Sequence, residues 1–208
     1  MTTGIDIVNN SAHCTEPRYD FAVIAGWIGQ GERVLDLGCG DGTLLKSLRD
    51  EKQVLGYGVE IDPDNVTACI KNGINVIQTD LERGLAGFEE GFFDHVIMSL
   101  SLQTVRHTEA LLAEMLRVGR QAVITFPNFG HRSHREAIAK GHMPVSETLP
   151  YQWYDTPNVR FFTIADFEAL CAQRGIAVRE GRFFDSGRPV SADPNLNAEL
   201  AIYRLTRS

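Results

Sequence analysis

One nine-residue segment constrains the fold of this chain more than any other: Val34-Leu-Asp-Leu-Gly-Cys-Gly-Asp-Gly42. A short apolar run ends there in glycines at alternate positions, and Thr43 to Leu48 continues with the pattern of a helix. Glycine lets a backbone turn sharply and approach a ligand closely. The segment therefore predicts a strand, a tight loop and a helix in succession, the unit from which parallel α/β sheets are built.

The remainder of the chain keeps the same alternation of strand and helix patterns. Strands are predicted at 33–37, 54–59, 75–78, 93–98, 121–126, about 177–184 and 199–205, and helices at 19–28, 43–48, 63–72, 109–117 and 163–174. Thr163 is the expected N-cap of the last helix. This alternation implies right-handed crossovers, a mostly parallel sheet with helices on both faces, and ligands bound at the carboxyl ends of the strands.

Length and composition fit a single α/β domain over residues 1–208, with a polar N-terminal tail at 1–17. The formal net charge of −7 argues against a nucleic-acid partner, because phosphate binding needs a basic face. No apolar run is long enough to cross a bilayer, and the first residues lack the features of a signal peptide. A cytoplasmic protein with no membrane partner is therefore expected.

The cysteines predict neither a metal site nor a disulfide framework. Cys14, Cys39, Cys69 and Cys171 lie far apart in the sequence, and no two of them form a Cys-x-x-Cys pair. Free thiols and no bound metal are expected.

The glycine-rich loop differs from a dinucleotide-binding fingerprint in two ways. The pattern Gly-x-Gly-x-x-Gly would place a glycine at Thr43, whereas the third glycine here is Gly42. Asp36 also adds a carboxylate inside the turn, which a pyrophosphate would disfavour. Asp36 and Asp41 together make the mouth of the loop acidic. Such a loop favours a ligand that carries an ammonium and a sulfonium, because opposite charges attract more strongly in a partly desolvated cleft.

Two further acids follow the next two strands. Glu60 comes at the end of the second strand, where a carboxylate can accept hydrogen bonds from both hydroxyls of a ribose. Asp80 follows the third strand, where it can accept from an adenine amino group while Leu81 lines the ring. Each acid taken singly also fits a solvated strand end. Their joint spacing with Asp36 favours an adenosine-containing ligand.

These motifs resemble the class I S-adenosylmethionine-dependent methyltransferases. Asp36-x-Gly-x-Gly-x-Gly42, Gly58-Val-Glu-Ile-Asp62, Thr79-Asp80-Leu81 and Phe93-Asp-His-Val-Ile97 occur in that family's order, over roughly 33–126. The resemblance implies a Rossmann-like fold with a mostly parallel seven-stranded sheet whose last strand is antiparallel. It also implies that S-adenosylmethionine or S-adenosylhomocysteine is held by Asp36, Gly38, Gly40, Glu60, Asp80, Leu81 and Ser99.

Other blocks are similar to the MetW family of methionine-biosynthesis proteins. They are the segment 33–42, Phe126-Pro-Asn128, Pro150-Tyr-Gln-Trp-Tyr-Asp-Thr-Pro-Asn158 and 163–171, so the likeness spans about 18–185. This resemblance implies a protein that binds homoserine O-acyltransferase and supports its activity.

Whether the chain also catalyses methyl transfer stays open. Amino-methyltransferases often carry an Asn- or Asp-Pro-Pro-aromatic loop after the fourth strand, but this chain has Met98-Ser-Leu-Ser-Leu-Gln-Thr104. That difference argues against methylation of nucleic-acid bases. His107 is a candidate general base, and it equally fits a cap of the helix that begins nearby. A methyltransferase acting on a small molecule is therefore the alternative function, with its catalytic residues otherwise unassigned.

The long loop 141–160 carries an aromatic cluster. Tyr151, Trp153 and Tyr154 are followed by Asp155, and prolines bracket the block and stiffen it. This pattern predicts a surface loop that closes over the cofactor or contacts a partner, with core packing as the alternative. The pair Phe161 and Phe162 beyond it is expected in the core.

A basic stretch precedes that loop in an otherwise acidic chain. It consists of His131, Arg132, His134, Arg135, Lys140 and His142. Such a run is typical of a solvated helix face, and it also fits contact with an acidic partner or an anionic substrate.

Overall fold

A computed structural model describes residues 18–208 of the protein. The expected polar tail 1–17 and Cys14 lie outside the described residues. The helices are α1 (Tyr19–Trp27), α2 (Thr43–Lys52), α3 (Pro63–Lys71), α4 (Thr108–Val118), α5 (Arg132–Ala139), α6 (Ile164–Gln173) and α7 (Pro194–Asn197). The strands are β1 (Arg33–Leu37), β2 (Leu55–Glu60), β3 (Asn75–Gln78), β4 (Phe93–Ser99), β5 (Gly119–Pro127), β6 (Ile176–Asp185), β7 (Arg188–Pro189) and β8 (Leu200–Arg207).

The described strands form one sheet in the order β3-β2-β1-β4-β5-β8-β6-β7. The pairs from β3 to β5 are all parallel, and β8 runs antiparallel to both β5 and β6. The expected antiparallel last strand is thus confirmed. Parallel strands bring their carboxyl ends to one edge of the sheet, so the turns after β1, β2 and β4 meet there.

The sheet has eight strands, so the expected number of seven is wrong. The additional strand is β7, which is two residues long and pairs antiparallel with the end of β6. The two-residue turn that joins them has positive φ at both positions, Ser186 (46°) and Gly187 (73°), as a tight hairpin requires. A strand this short leaves no alternating pattern in the sequence.

Two apolar layers enclose the sheet. Leu35 and Leu37 of β1 pack with the buried side chains of α4 and α6, whereas Val34 packs on the opposite face with those of α1, α2 and α3. Neighbouring residues of one strand point to opposite faces, which explains how β1 serves both layers. The expected helices on both faces of the sheet are confirmed.

Local capping fixes where several helices begin. The Asp62 carboxylate accepts from the backbone N–H groups of Asp64 (2.8 Å) and Asn65 (3.1 Å) ahead of α3. Thr163 and Asp166 form a reciprocal capping box at α6, which confirms the expected N-cap. The starts of α3 and α6 are therefore set by side-chain caps.

Within residues 18–208, no helix is long and apolar enough to cross a membrane. The same part of the chain has no group of three or more His, Cys, Asp or Glu side chains placed to hold a metal ion.

Candidate functional site

The glycine-rich loop folds back over the end of β2. The backbone N–H groups of Gly38 and Cys39 both donate to the carbonyl of Val59, at 2.8 and 3.1 Å. Gly38 has a φ of +70°, and a Cβ there would lie 2.8 Å from Ser101 Oγ, so both conformation and space require glycine. Gly40 has a φ of +56°, and a Cβ there would meet nothing within 4 Å. The loop therefore leaves open space beside Gly40, as a backbone that receives a ligand must.

Glu60 connects this loop to the turn after β2. Its carboxylate is buried and accepts three backbone N–H bonds: Oε2 from Gly40 (2.9 Å), and Oε1 from Ile61 (2.8 Å) and Asp62 (2.9 Å). A carboxylate offers about four acceptor positions, so about one remains for a ligand hydroxyl. Glu60 is thus both a structural tie and a candidate ligand contact.

A cavity of about 300 Å³ opens beside these residues at the carboxyl edge of the sheet. Four of the predicted cofactor residues line it, namely Gly38, Glu60, Asp80 and Leu81. The other residues on its wall were not predicted as cofactor contacts: Val59, Ile61, Thr79, Glu82, Ser101, Thr104 and Val105. This space is called the first cavity below.

Asp36 is the most perturbed acid at this edge. Its side chain is 3% exposed, and its Oδ1 has no hydrogen-bond partner among the described residues. Burial raises the pKa of the Asp36 carboxyl to about 7; Arg18 opposes this shift, and Glu60 and Asp20 reinforce it. Asp36 is not among the residues that line the first cavity, but its carboxyl lies at the end of β1 beside the glycine-rich loop. A cation bound nearby would favour its ionised form.

Ser99 does not line the first cavity. Its Oγ donates to Asp20 (3.1 Å), accepts from Arg18 Nη2 (2.9 Å) and contacts Thr125 Oγ1 (3.2 Å), so it holds the start of α1 against the sheet. The cavity wall instead receives Ser101, two residues later. Leu100 lies between them with a φ of +54°, so the side chains beyond β4 do not continue the strand alternation.

The segment after β4 separates the first cavity from a second one of about 270 Å³. Ser101 and Thr104 line the first cavity, whereas Leu100 and Gln103 line the second. This separating segment, residues 100–104, is called the partition below. Leu100 is held by its own N–H, which donates to the carbonyl of Thr125 at 3.1 Å.

His107 contacts a residue that lines the first cavity but does not line the cavity itself. Its ring is exposed, and its Nδ1 lies 2.5 Å from Oε2 of Glu82, a wall residue. The N–H of Arg106 also donates to Glu82 Oε1, and this bond, followed by the contact with His107, holds the pKa of Glu82 below its usual value. His107 occupies the N-cap position of α4, as expected, although its side chain makes no capping hydrogen bond.

Comparison with known proteins places this arrangement in a family. Residues 18–205 match the sequence profile described as "Methionine biosynthesis protein MetW". The chain belongs to the MetW family. It is also 41% identical over 194 residues to the "Bifunctional methionine biosynthesis protein MetXA/MetW" of Rhodopirellula baltica, across 86% of this chain and 31% of that protein. The chain thus spans about a third of the length of this curated relative.

Several solved structures with the same fold are described as S-adenosylmethionine-dependent methyltransferases. One from Mesorhizobium loti has a TM-score of 0.69 at 16% identity, covering 91% of this chain and 98% of that one. Another, from Archaeoglobus fulgidus, has a TM-score of 0.67 at 17% identity, covering 89% and 90%. Identities this low show the fold alone. The MetW-family chain therefore has the Rossmann-like fold of class I methyltransferases.

The aromatic block that resembles MetW lies on the surface. Trp153 and Tyr154 are 72% and 70% exposed and form a T-shaped pair with ring centroids 5.6 Å apart. Tyr151 lines the second cavity, and Asp155 is exposed beside the ring pair. The expected surface loop is confirmed. Phe161 is exposed as well, so its assignment to the core is wrong. Its ring packs in a tilted arrangement on that of Phe129, with the centroids 4.9 Å apart.

The loop is attached to the partition at its far end. The N–H groups of Val159 and Arg160 both donate to the carbonyl of Gln103, at 2.9 and 3.0 Å. Phe162, the other expected core residue, packs against the apolar layer that contains Leu35 and Leu37. The centroids of its ring and that of Phe126 are 4.7 Å apart.

The basic stretch of this MetW-family chain is only partly a solvated helix face. His134 is 1% exposed, with Nδ1 3.1 Å from the carbonyl of Asn128 and Nε2 3.0 Å from Ser146 Oγ. Burial lowers the pKa of His134, and the bond to Asn128 opposes that shift. In the sequence His134 is one of several basic residues in a row, and nothing there predicts that it is buried.

Asn128 organises the chain after β5, a role not predicted for it. It is fully buried; its Nδ2 donates to the carbonyl of Ala198 (2.7 Å), and its Oδ1 accepts from Gly130 (3.0 Å) and Ile164 (3.2 Å). An asparagine directly after a proline at a strand end was the available signal. It joins the end of β5 to α6 and to the segment before β8.

Two cysteines that are distant in sequence meet beneath the glycine-rich loop. The Sγ atoms of Cys39 and Cys69 lie 3.7 Å apart, and Cys39, Cys69 and Cys171 are all free and buried. The expectation of free thiols is confirmed for these three. Burial raises the pKa of both thiols, which keeps them protonated and unreactive.

Proposed function

We propose that this protein binds S-adenosylmethionine or S-adenosylhomocysteine in the first cavity, and that it binds homoserine O-acyltransferase and supports its activity. The observation that carries the partner is the 41% identity to a relative whose name joins MetXA and MetW in one bifunctional chain. Parts fused in one protein are held at high effective concentration, which fits partners that work together. The family resemblance implies that MetXA is the homoserine O-acyltransferase.

The residues around the first cavity fit the proposed cofactor. The unpaired Oδ1 of Asp36 needs a donor, and an ammonium or sulfonium nearby favours the ionised carboxylate. Glu60 has about one acceptor position left for a ribose hydroxyl. Asp80 uses Oδ1 to cap the short turn at Leu81–Arg83, so Oδ2 is the oxygen available to an adenine amino group.

We place the partner contact on the aromatic loop. Trp153 and Tyr154 expose large rings, and residues of this type supply most of the binding energy in protein interfaces. Prolines at both ends of the block and the bonds from Val159 and Arg160 to Gln103 hold the loop in place before binding. A preformed loop loses less conformational entropy on association.

The test is acyltransferase turnover with homoserine O-acyltransferase purified from the same source, measured with and without this protein. The expected result is higher turnover together with a complex that co-elutes in size-exclusion chromatography. Trp153→Ala and Tyr154→Ala should each weaken the complex by about 2 kcal/mol. Ile70→Ala, which truncates an equally exposed apolar side chain on α3, is the matched control. No complex and no change in turnover would refute the partner function.

The second cavity favours an alternative, a methyltransferase acting on a small molecule. It lies across the partition from the proposed cofactor site, as an acceptor site would. Bound S-adenosylmethionine would supply an electrophilic methyl group; the chain itself would only orient the acceptor and exclude water. Incubation with methyl-labelled cofactor and a metabolite extract tests this function. Absence of label in every product would remove it.

A further inference from the structure

The two edges of the sheet differ in chemistry. β7 forms one edge and consists of Arg188 and Pro189 alone, and β3 forms the other. A short strand, a charge and a proline are features that keep an edge strand from pairing with another chain. The segment around β3 has neither charge nor proline, since it reads Asn72-Gly-Ile-Asn-Val-Ile-Gln-Thr79. The β3 edge therefore has the composition of a strand that can pair further.

This edge presents unpaired backbone groups. β3 pairs with β2 alone, and the N–H of Thr79 donates to the carbonyl of Glu60 at 3.0 Å. The backbone groups of a strand point alternately to its two sides, so the N–H and C=O of Val76 and Gln78 point away from β2. Within residues 18–208 these outward groups have no backbone partner. The complement of such a row is another extended strand.

Apolar side chains beside the edge are exposed on one face of the sheet. Ile77 is 43% exposed, and Tyr57, which lies next to Asn75 on the neighbouring strand, is 37% exposed. The crossover from β3 to β4 contains only the short turn Leu81–Arg83 and no α-helix to cover them. A strand added at β3 would therefore gain apolar contacts as well as backbone hydrogen bonds.

The charges around β3 favour a second copy of the same segment as the occupant. Pairing two identical strands about a two-fold axis brings identical residues together, and an uncharged strand avoids repulsion there. The exposed Lys71 precedes the segment and Asp80 follows it. In an antiparallel pair, the end of one copy that carries Lys71 lies beside the end of the other that carries Asp80. Charges of opposite sign then approach each other at both ends of the pair.

We propose that two copies of this chain pair through β3, antiparallel and about a two-fold axis, so that their sheets become continuous. The outward groups set the register: Val76 exchanges backbone hydrogen bonds with Gln78 of the partner subunit, and Gln78 does so with the partner's Val76. Ile77 then lies opposite Ile77 of the partner subunit on the exposed face. This pairing does not depend on the proposed cofactor or on the acyltransferase.

Sedimentation velocity of the full chain over a concentration series tests the dimer. A reversible dimer is expected, and Ile77→Lys should weaken it about tenfold or more, because two like charges then face each other and the apolar contact is lost. Ile138→Lys is the matched control, since Ile138 is 46% exposed on α5, and it should leave the dimer unchanged. Both substitutions are at exposed positions, and unaltered circular dichroism checks that each variant is folded. A monomer at every concentration would overturn the proposal, as would a dimer that Ile77→Lys does not weaken.

A cysteine crosslink tests the register. In a Cys14→Ser background the remaining cysteines are buried, so an introduced thiol is the only exposed one among residues 18–208. Ile77→Cys should form a disulfide-linked dimer with oxidised glutathione, because Cα atoms of such an opposed, non-hydrogen-bonded pair lie about 4.5 Å apart. Val76→Cys should not, because it lies opposite Gln78 of the partner subunit. Crosslinking through Val76→Cys and not through Ile77→Cys would overturn the proposal.

The same variants distinguish a second copy from the acyltransferase as the occupant of the β3 edge. If the chain alone stays monomeric and Ile77→Lys abolishes a complex with homoserine O-acyltransferase, the edge belongs to that enzyme and the proposal is overturned. A dimer that persists within such a complex would support it.

Discussion

Titration of Asp36 is expected to control the affinity of the protein for the proposed cofactor. Because burial raises the pKa of this carboxyl to about 7, it is mostly protonated at pH 6 and mostly ionised at pH 8. A ligand that carries an ammonium binds the ionised form better. If the pKa in the complex lies well below 6, affinity rises about tenfold between pH 6 and pH 8, or about 1.4 kcal/mol.

The same linkage predicts a proton count. At pH 6 about 0.9 proton per ligand should be released on binding, falling to about 0.1 at pH 8. Calorimetry with S-adenosylhomocysteine in two buffers of different ionisation enthalpy measures this count directly. The ligand's own amino group titrates near this range, so the difference between variants isolates the contribution of Asp36.

Two variants make the test decisive. Asp36→Asn should abolish the protein's share of the pH dependence. Asp41→Asn should retain it, because Asp41 lies in the same loop but serves to accept from the N–H of Thr43 at 3.0 Å. An unchanged pH slope in Asp36→Asn would refute the reasoning, because no other carboxyl of residues 18–208 has a pKa raised to this range.

Ionisation of Asp36 lowers the stability of the folded chain, although it strengthens binding of the cationic ligand. The pKa of Asp36 is raised in the folded chain from an ordinary 3.8 to about 7. Its stabilising contribution is therefore fully present below about pH 4 and is lost as the pH rises through about 7. Asp36→Asn should stabilise the ligand-free chain at pH 8 by on the order of 1–2 kcal/mol, while weakening the cofactor. Thermal unfolding at pH 5 and pH 8 measures the difference.

Three further outcomes follow from single contacts. Glu60→Ala should weaken cofactor binding by about 2 kcal/mol and also destabilise the ligand-free chain, because Gly40 and the turn after β2 lose their acceptor. Calorimetry measures the loss of binding and urea unfolding the loss of stability. Unchanged stability would contradict the structural role of Glu60. Gly58→Ala places a Cβ 2.4 Å from Cys39 Sγ and should lower the free energy of unfolding in urea by about 1–3 kcal/mol. Adding Cys39→Ala should restore part of this loss, and additive effects of the two substitutions would contradict the contact. The pKa of His134 is lowered by burial, so stability should fall as the pH drops below about 6.5, and His134→Gln should flatten that slope in thermal unfolding.

The secondary structure and the site residues were predicted best where a local sequence pattern determines the structure. The glycine-rich loop, β1 and β3 were predicted at their observed bounds, because a short run with apolar residues between polar or glycine residues is typical of a strand. The acids Glu60 and Asp80 were predicted at strand ends, and parallel topology alone brings strand ends together. These parts of the site required no knowledge of side-chain contacts.

What could not be predicted depends on backbone conformation and on contacts between distant residues. Ser99 was expected at the cofactor site, but the positive φ of Leu100 redirects the chain, and Ser101 reaches the wall instead. The meeting of Cys39 with Cys69 requires the crossover from β2 to α3, which places residues 30 positions apart in contact. No spacing rule within one segment reports either effect.

The two cavities and the aromatic loop contact the same backbone segment, so binding at one of them can affect binding at the others. The partition lines both cavities, and its Gln103 carbonyl holds the loop through the N–H groups of Val159 and Arg160. A cofactor that orders the partition would also order the loop, and so raise partner affinity without touching the partner. Linkage requires the partner to raise cofactor affinity by the same factor. Trp153→Ala should then leave cofactor affinity of the isolated chain unchanged, yet remove the increase that the partner causes.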